Sequence, residues 1–182
     1  MTVKPEQKIE FLKSHIRDVV DFPRPGIIFK DITPLLSDSQ ARKIVVEEIF
    51  NRYQPQNIQA IAGIEARGFL FGMLLADKFD VPFVPIRKTG KLPYKKKVAH
   101  YDLEYGTSSI EIHEDAIAPD TRVLIHDDLL ATGGTAIAAG GLVQQIGGVV
   151  AGLSFVISLS FLSGGINLNR HFGVEPHSVL TY

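Results

Sequence analysis

The chain has 182 residues, with 19 basic against 20 acidic side chains and a formal net charge of −1. Hydrophobic residues make up 45% and cysteines are absent, a globular composition that excludes disulfides, thiolate metal sites and a cysteine nucleophile. Balanced charge argues against nucleic acid as a partner, and the opening residues hold no signal-peptide core, so the expectation is one cytoplasmic domain over residues 1–182.

Residues 7–20 place Ile9, Leu12, Ile16, Val19 and Val20 at helical spacing, which predicts an N-terminal helix. Phe22-Pro23-Arg24-Pro25-Gly26 breaks it, and residues 27–32 read as a short strand ended by Pro34. A second helix is predicted over 39–53, with Val46, Ile49, Phe50 and Tyr53 on one face and candidate caps just ahead.

The rhythm then becomes strand (58–62), glycine turn (63–68), apolar helix (69–79) and strand (81–86). Residues 87–107 form a connection long enough to predict a mobile lid before a strand at 108–113. A strand at 122–126 leads into a glycine loop and a helix over 135–146, which Gly140 and Gly141 weaken.

Residues 129–169 carry no charge, but glycine pairs and serines divide them, and the longest piece, 149–163, falls short of the roughly 18 apolar residues that span a bilayer. Its Leu153, Phe155, Ile157, Leu159 and Phe161 alternate as in a strand, so no membrane partner is expected. Alternating β and α elements imply an α/β fold with a mostly parallel central sheet flanked by helices. In such sheets ligands sit beyond the carboxyl ends of the strands, which here means the glycine turns after residues 62 and 126.

The most informative run is Val123-Leu124-Ile125-His126-Asp127-Asp128-Leu129-Leu130-Ala131-Thr132-Gly133-Gly134-Thr135. An apolar strand delivers two carboxylates to its end, and a loop of small residues then opens a helix. Backbone N–H groups of Ala131, Thr132, Gly133, Gly134 and Thr135, with two threonine hydroxyls, make an anion cradle at the helix N-terminus. No lysine follows the glycines and no G-x-G-x-x-G occurs, so nucleoside triphosphate loops and dinucleotide folds do not fit. Paired aspartates beside a phosphate cradle suit a sugar phosphate, with Asp127 and Asp128 accepting from ribose hydroxyls. Between 87 and 97 lie Arg87, Lys88, Lys91, Lys95, Lys96 and Lys97 without one acid; a solvated charge run is the plain alternative to anion binding there.

The thirteen-residue run resembles the 5-phosphoribosyl 1-pyrophosphate (PRPP) motif of the type I phosphoribosyltransferases. Gly63-Ile64-Glu65-Ala66-Arg67-Gly68-Phe69-Leu70-Phe71-Gly72, Arg87-Lys88-Thr89-Gly90-Lys91-Leu92-Pro93, Leu103-Glu104-Tyr105-Gly106 and the segment from Phe22 to Ile32 resemble the adenine-specific family among them. The resemblance implies the type I fold, with a small hood to which residues 1–35 contribute and a mobile lid. It implies transfer of a phosphoribosyl group from PRPP to adenine, yielding AMP and pyrophosphate, with Mg2+ on the substrate rather than on protein ligands, in a homodimer.

By the same resemblance Arg67, Arg87, Lys88 and Lys91 bind pyrophosphate. Ile28, Phe29, Lys30 and Leu159 surround adenine, and Glu104, in a lid with Tyr105, handles the proton of the base. Arg67 and Arg87 join Glu104 as the catalytic set. His126 stands where the family usually has an aliphatic residue and reads as a core histidine with one hydrogen-bond partner. A transferase for another base and a PRPP-binding regulator without catalysis are the two alternatives.

Overall fold

The structure, a computed structural model, describes residues 5–103 and 106–182. They fall into two compact units, residues 1–48 and 49–182.

In the first unit, helix α1 (Pro5–Ser14) ends sooner than the apolar spacing predicts. Arg17–Val20 instead forms strand β1, antiparallel to β2 (Ile28–Asp31), with Val19 opposite Phe29 and Val20 opposite Ile28. Adjacent β-branched valines facing an aromatic and an isoleucine favour a ladder over another helical turn. Pro34 does not end the structure. It lies in the first turn of α2 (Thr33–Ser37), where its missing N–H costs nothing. Helix α3 (Ser39–Tyr53) has the predicted bounds, and the Asp38 carboxylate accepts from the Ala41 N–H at 2.7 Å.

The second unit carries the sheet. Strand β3 (Ala60–Ile64) leads through a tight turn to α4 (Gly68–Phe79) and β4 (Phe83–Lys88). Next come β5 (Lys96–Leu103), β6 (Gly106–His113), β7 (Arg122–Leu130) and α5 (Gly134–Gln145), then β8 (Val149–Ser158), α6 (Gly164–Phe172) and β9 (His177–Thr181). The strand order is β5-β6-β4-β3-β7-β8-β9. Pairings from β4 through β3, β7 and β8 to β9 are parallel, and β6 and β5 add an antiparallel edge. This is the mostly parallel α/β sheet that the alternating elements predict.

The connection predicted over 87–107 contains a strand that the sequence did not show: β5 pairs with β6 from Lys96 opposite His113 to Leu103 opposite Gly106. The lysine run hides this strand because a charged, one-sided edge shows no apolar alternation, and such charges keep an edge from recruiting another chain. Strand β8 is buried on both faces over Val150–Ile157, so the alternation expected through Phe161 stops: the strand ends at Ser158 and Phe161 is 76% exposed. Residues after Gly165, to which the sequence alone assigns no role, complete the sheet through α6 and β9. The core between sheet and helices is built from Ile64, Ile86, Ile110, Ile112, Ile125, Leu142, Leu153 and Phe155. Tyr53, itself part of the second unit, donates its hydroxyl to the Leu153 carbonyl at 2.7 Å, and burial pushes its pKa up to about 12. Among the described residues no helix is long and apolar enough to cross a membrane.

Candidate active site

The site grows from the carboxyl ends of β3 and β7. Strand β7 runs through both aspartates to Leu130, further than the predicted end at His126, and α5 starts four residues later. Gly133 caps that helix with φ +88, and no side chain caps it. The first N–H groups of α5 therefore have no intrahelical acceptor. They border a pocket of about 80 Å3 lined by Asp127, Leu130, Phe155 and residues 131–136. All five predicted cradle residues, Ala131, Thr132, Gly133, Gly134 and Thr135, line it together with Asp127.

Close packing holds the loop open. A Cβ on Gly133 would stand 3.2 Å from the Gly164 carbonyl oxygen, and a Cβ on Gly164 would collide with the Ala131 carbonyl. From α6, the Asn167 side-chain amide donates to the Thr132 carbonyl at 3.0 Å. Gly164 and Asn167 are contributions the sequence did not reveal, since they lie thirty residues beyond the motif they support.

Asp128 is buried and its Oδ2 pairs with Arg67 Nε at 3.0 Å. The Asp127 carboxylate accepts from the Asp128 N–H at 2.8 Å. Burial, and then the neighbouring Asp128 charge, push Asp127 well above the ordinary carboxylate range. Burial also raises Asp128, against the pull of Arg67. Gly68 lets the two turns meet: its Cβ would lie 2.8 Å from the His126 carbonyl oxygen and 3.0 Å from Asp127 Oδ1. His126 itself is fully buried, its Nδ1 2.9 Å from Ser154 Oγ, and burial lowers its pKa to about 3. It is a neutral core histidine with one hydrogen-bond partner, as read from the sequence.

Glu65 joins this turn to the basic segment. Its carboxylate takes Arg87 Nε and Nη2 at 3.1 Å each and the Lys88 N–H at 3.0 Å. The Arg87 hydrogen bond is the main reason its pKa lies below the usual range. Arg87 also donates to the Lys91 carbonyl at 3.1 Å. Of the other cations between 87 and 97, Lys96 pairs with Glu111 and Lys97 with Glu114. Lys88 and Lys91 have no carboxylate partner among the described residues. The run thus divides into two edge-strand lysines paired with carboxylates and three ammonium groups, those of Lys88, Lys91 and Lys95, without a carboxylate partner among the described residues.

The sequence missed Glu65 and Glu111 as parts of the site. The available signal for Glu111 was a lone acid between Ile110 and Ile112 on a strand. Ile28, Phe29 and Lys30 lie on β2 in the first unit, where Phe29 meets the Phe22 ring edge-on at 5.2 Å and Lys30 pairs with Asp18 at 2.7 Å. Leu159 follows β8 in the second unit and borders a pocket of about 400 Å3. Glu104 and Tyr105 lie outside the described residues. No cluster of three or more histidine, aspartate or glutamate side chains suited to a metal occurs among the described residues.

A model of the phosphoribosyl transferase domain matches residues 36–158. The adenine phosphoribosyltransferase of Nitrosococcus oceani is 48% identical, over 96% of this chain and 100% of its own. That of Cytophaga hutchinsonii is 50% identical, over 90% of this chain and 91% of its own. Among solved structures, adenine phosphoribosyltransferase from Rhodothermus marinus superposes with a TM-score of 0.91 at 49% identity, covering 97% of this chain and 99% of that one. The Saccharomyces cerevisiae enzyme, complexed with an imino-altritol bisphosphate and adenine, gives a TM-score of 0.88 at 35% identity, covering 96% and 99%.

Proposed function

The chain belongs to the phosphoribosyl transferase family, and on that premise we propose that it transfers the phosphoribosyl group of PRPP to adenine, giving AMP and pyrophosphate. The observation that carries this reading is one series of neighbouring groups. It runs from the 131–135 cradle through Asp127 and Asp128 to Arg67, then from Glu65 of the same turn to Arg87 and the Lys91 turn. That is an anion site, a pair of carboxylates and a second cationic site, in the order in which PRPP carries its 5′-phosphate, ribose and pyrophosphate.

In this mechanism the N–H groups of the cradle take the 5′-phosphate. Asp127 and Asp128 accept from the ribose hydroxyls and favour the positive charge that develops at C1 as its bond to pyrophosphate oxygen breaks. That electron pair leaves with pyrophosphate, whose charge Arg67, Arg87, Lys88 and Lys91 balance. Mg2+ bound to the PRPP substrate, rather than to protein ligands, would share in neutralising the same charge. Adenine N9 forms the new bond to C1, and its proton passes to the Glu104 carboxylate. Much of the acceleration lies in holding base and sugar in line. The base contacts of Ile28, Phe29, Lys30 and Leu159, and a lid containing Glu104 and Tyr105, belong to the proposal by sequence resemblance.

Adenine as the base is supported by the relatives named for it. A homodimer is supported by an apolar stripe on α4, where Leu70, Met73 and Leu74 are 45%, 55% and 39% exposed. Competition among adenine, hypoxanthine and guanine for limiting PRPP, read as nucleotide product and released pyrophosphate, tests the assignment. AMP should be the main nucleotide. IMP or GMP in excess would transfer the assignment to another base, and PRPP binding without pyrophosphate release would indicate a regulator.

A further inference from the structure

We propose that Glu111 is a positioning residue for pyrophosphate: its carboxylate fixes the turn through Lys91 and so sets where Lys91 and Arg87 present their charge. The proposal rests on the phosphoribosyltransferase reading and adds to it a residue that touches no substrate.

Glu111 lies on β6 directly opposite Arg87 of β4 and is 0% exposed. Its Oε1 accepts from the N–H groups of Lys91 and Leu92 at 2.9 and 2.6 Å. Its Oε2 pairs with Lys96 at 3.1 Å, and Lys96 also donates to the Leu92 carbonyl at 3.0 Å. The turn reverses at Gly90, with φ +90, and is plugged by Leu92 at 6% exposure. The Lys91 carbonyl accepts from Arg87, and the Lys91 N–H also reaches the Lys88 carbonyl at 3.3 Å. Thus the backbone of Lys91 is held at its N–H by Glu111 and at its C=O by Arg87, while its ammonium group stays free of carboxylates among the described residues.

The neighbours show why a carboxylate is informative here. Ile110 and Ile112 are buried, and a third apolar side chain would close the same space without desolvating a charge. Burial alone would raise the Glu111 pKa, but the N–H groups of Leu92, Gly90 and Lys91 and the Lys96 ammonium hold it down to about 2. It is therefore ionised throughout the neutral range. A fixed anion in this place keeps the 90–92 backbone in one conformation and removes Lys96 from the set of free cations. Lys88, Lys91 and Lys95 keep no carboxylate partner among the described residues, and the turn that carries Lys91 does not have to order itself when an anion binds.

The test uses the full chain with Glu111→Gln and Glu111→Ala, measuring steady-state kinetics and calorimetric binding of PRPP and AMP. Glu111→Ala should raise the KM and Kd for PRPP about tenfold or more, as loss of charge-assisted bonds does. Glu111→Gln keeps one acceptor oxygen for the turn and should fall between it and the wild type. The KM for adenine and the Kd for AMP, which carries no pyrophosphate, should stay within about twofold. A general packing defect would not select PRPP in this way. If Glu111→Ala does not fold, the pairing of Glu111→Gln with Lys91→Ala decides: together they should cost less than the product of their separate effects on PRPP binding. Unchanged PRPP affinity in folded Glu111→Gln, or effects that simply multiply, overturns the proposal. A wild-type chain that neither binds PRPP nor forms AMP would instead remove the underlying reading, and this proposal with it.

Discussion

Arg67 Nε lies 3.0 Å from Oδ2 of Asp128, so the guanidinium assigned to pyrophosphate is tied to a carboxylate assigned to ribose. The pair is unequal: Asp128 is 4% exposed at its side chain and Arg67 41%. Arg67 can therefore turn toward an anion more easily than Asp128 can move. Asp128→Asn removes a charged acceptor from the ribose and releases Arg67 from that carboxylate. PRPP binding should weaken about tenfold or more, while inorganic pyrophosphate binds at least as tightly as before. Calorimetry with both ligands checks this, and equal weakening of both would show that Arg67 does not reach pyrophosphate.

The buried His126 makes stability depend on pH. Its pKa is about 3 in the folded chain, held down by burial, against about 6.5 when unfolded. Between those values the unfolded chain binds the extra proton, so this group's stabilising contribution is intact above pH 6.5 and declines as pH falls toward 3. Asp127 and Asp128, with raised pKa values, act in the opposite sense, so the comparison must be between variants. From pH 7 to pH 5 the wild type should lose about 2 kcal/mol more than His126→Val. Urea unfolding at the two pH values measures it, and parallel losses would show that His126 does not stay neutral in the fold.

Much of this architecture is legible in the sequence where one local signal dominates. The run from Val123 to Thr135 reads as a strand followed by a helix-opening loop because each piece depends on its neighbours in the chain, although the strand continues to Leu130 rather than ending at His126. Helix α3 is legible for the same reason, with Asp38 as its cap. What fails is set by tertiary pairing. Val19 and Val20 satisfy helical spacing equally well, and only Phe29 and Ile28 across the ladder make them a strand. Lys96 and Lys97 read as a solvated run until β6 and Glu111 and Glu114 are beside them. Glu65 and Glu111 are invisible as supports because their partners lie about twenty residues away.

The α4 stripe gives the proposed dimer its test. Met73 lies between Leu70 and Leu74 on the exposed face, and Met73→Glu puts a charge in any apolar interface formed there. Sedimentation velocity should find the wild type at twice the chain mass and Met73→Glu shifted toward the monomer. A dimer equally stable in both would place the interface elsewhere.

Glu104 carries the proton step of the proposal. Glu104→Gln keeps size and a hydrogen bond but cannot accept a proton, so kcat should fall about 100-fold or more with PRPP affinity nearly unchanged. Single-turnover kinetics at saturating adenine and PRPP isolate the chemical step. A rate near that of the wild type would remove Glu104 from the mechanism.

The most direct test of the whole account is the stoichiometry of the reaction. The full chain, mixed with PRPP and Mg2+ and followed by phosphorus NMR, should leave PRPP intact until adenine is added. It should then form one AMP and one pyrophosphate for each PRPP consumed. Pyrophosphate released without adenine, or adenine left unconverted while PRPP persists, would contradict transfer to adenine as the function of this site.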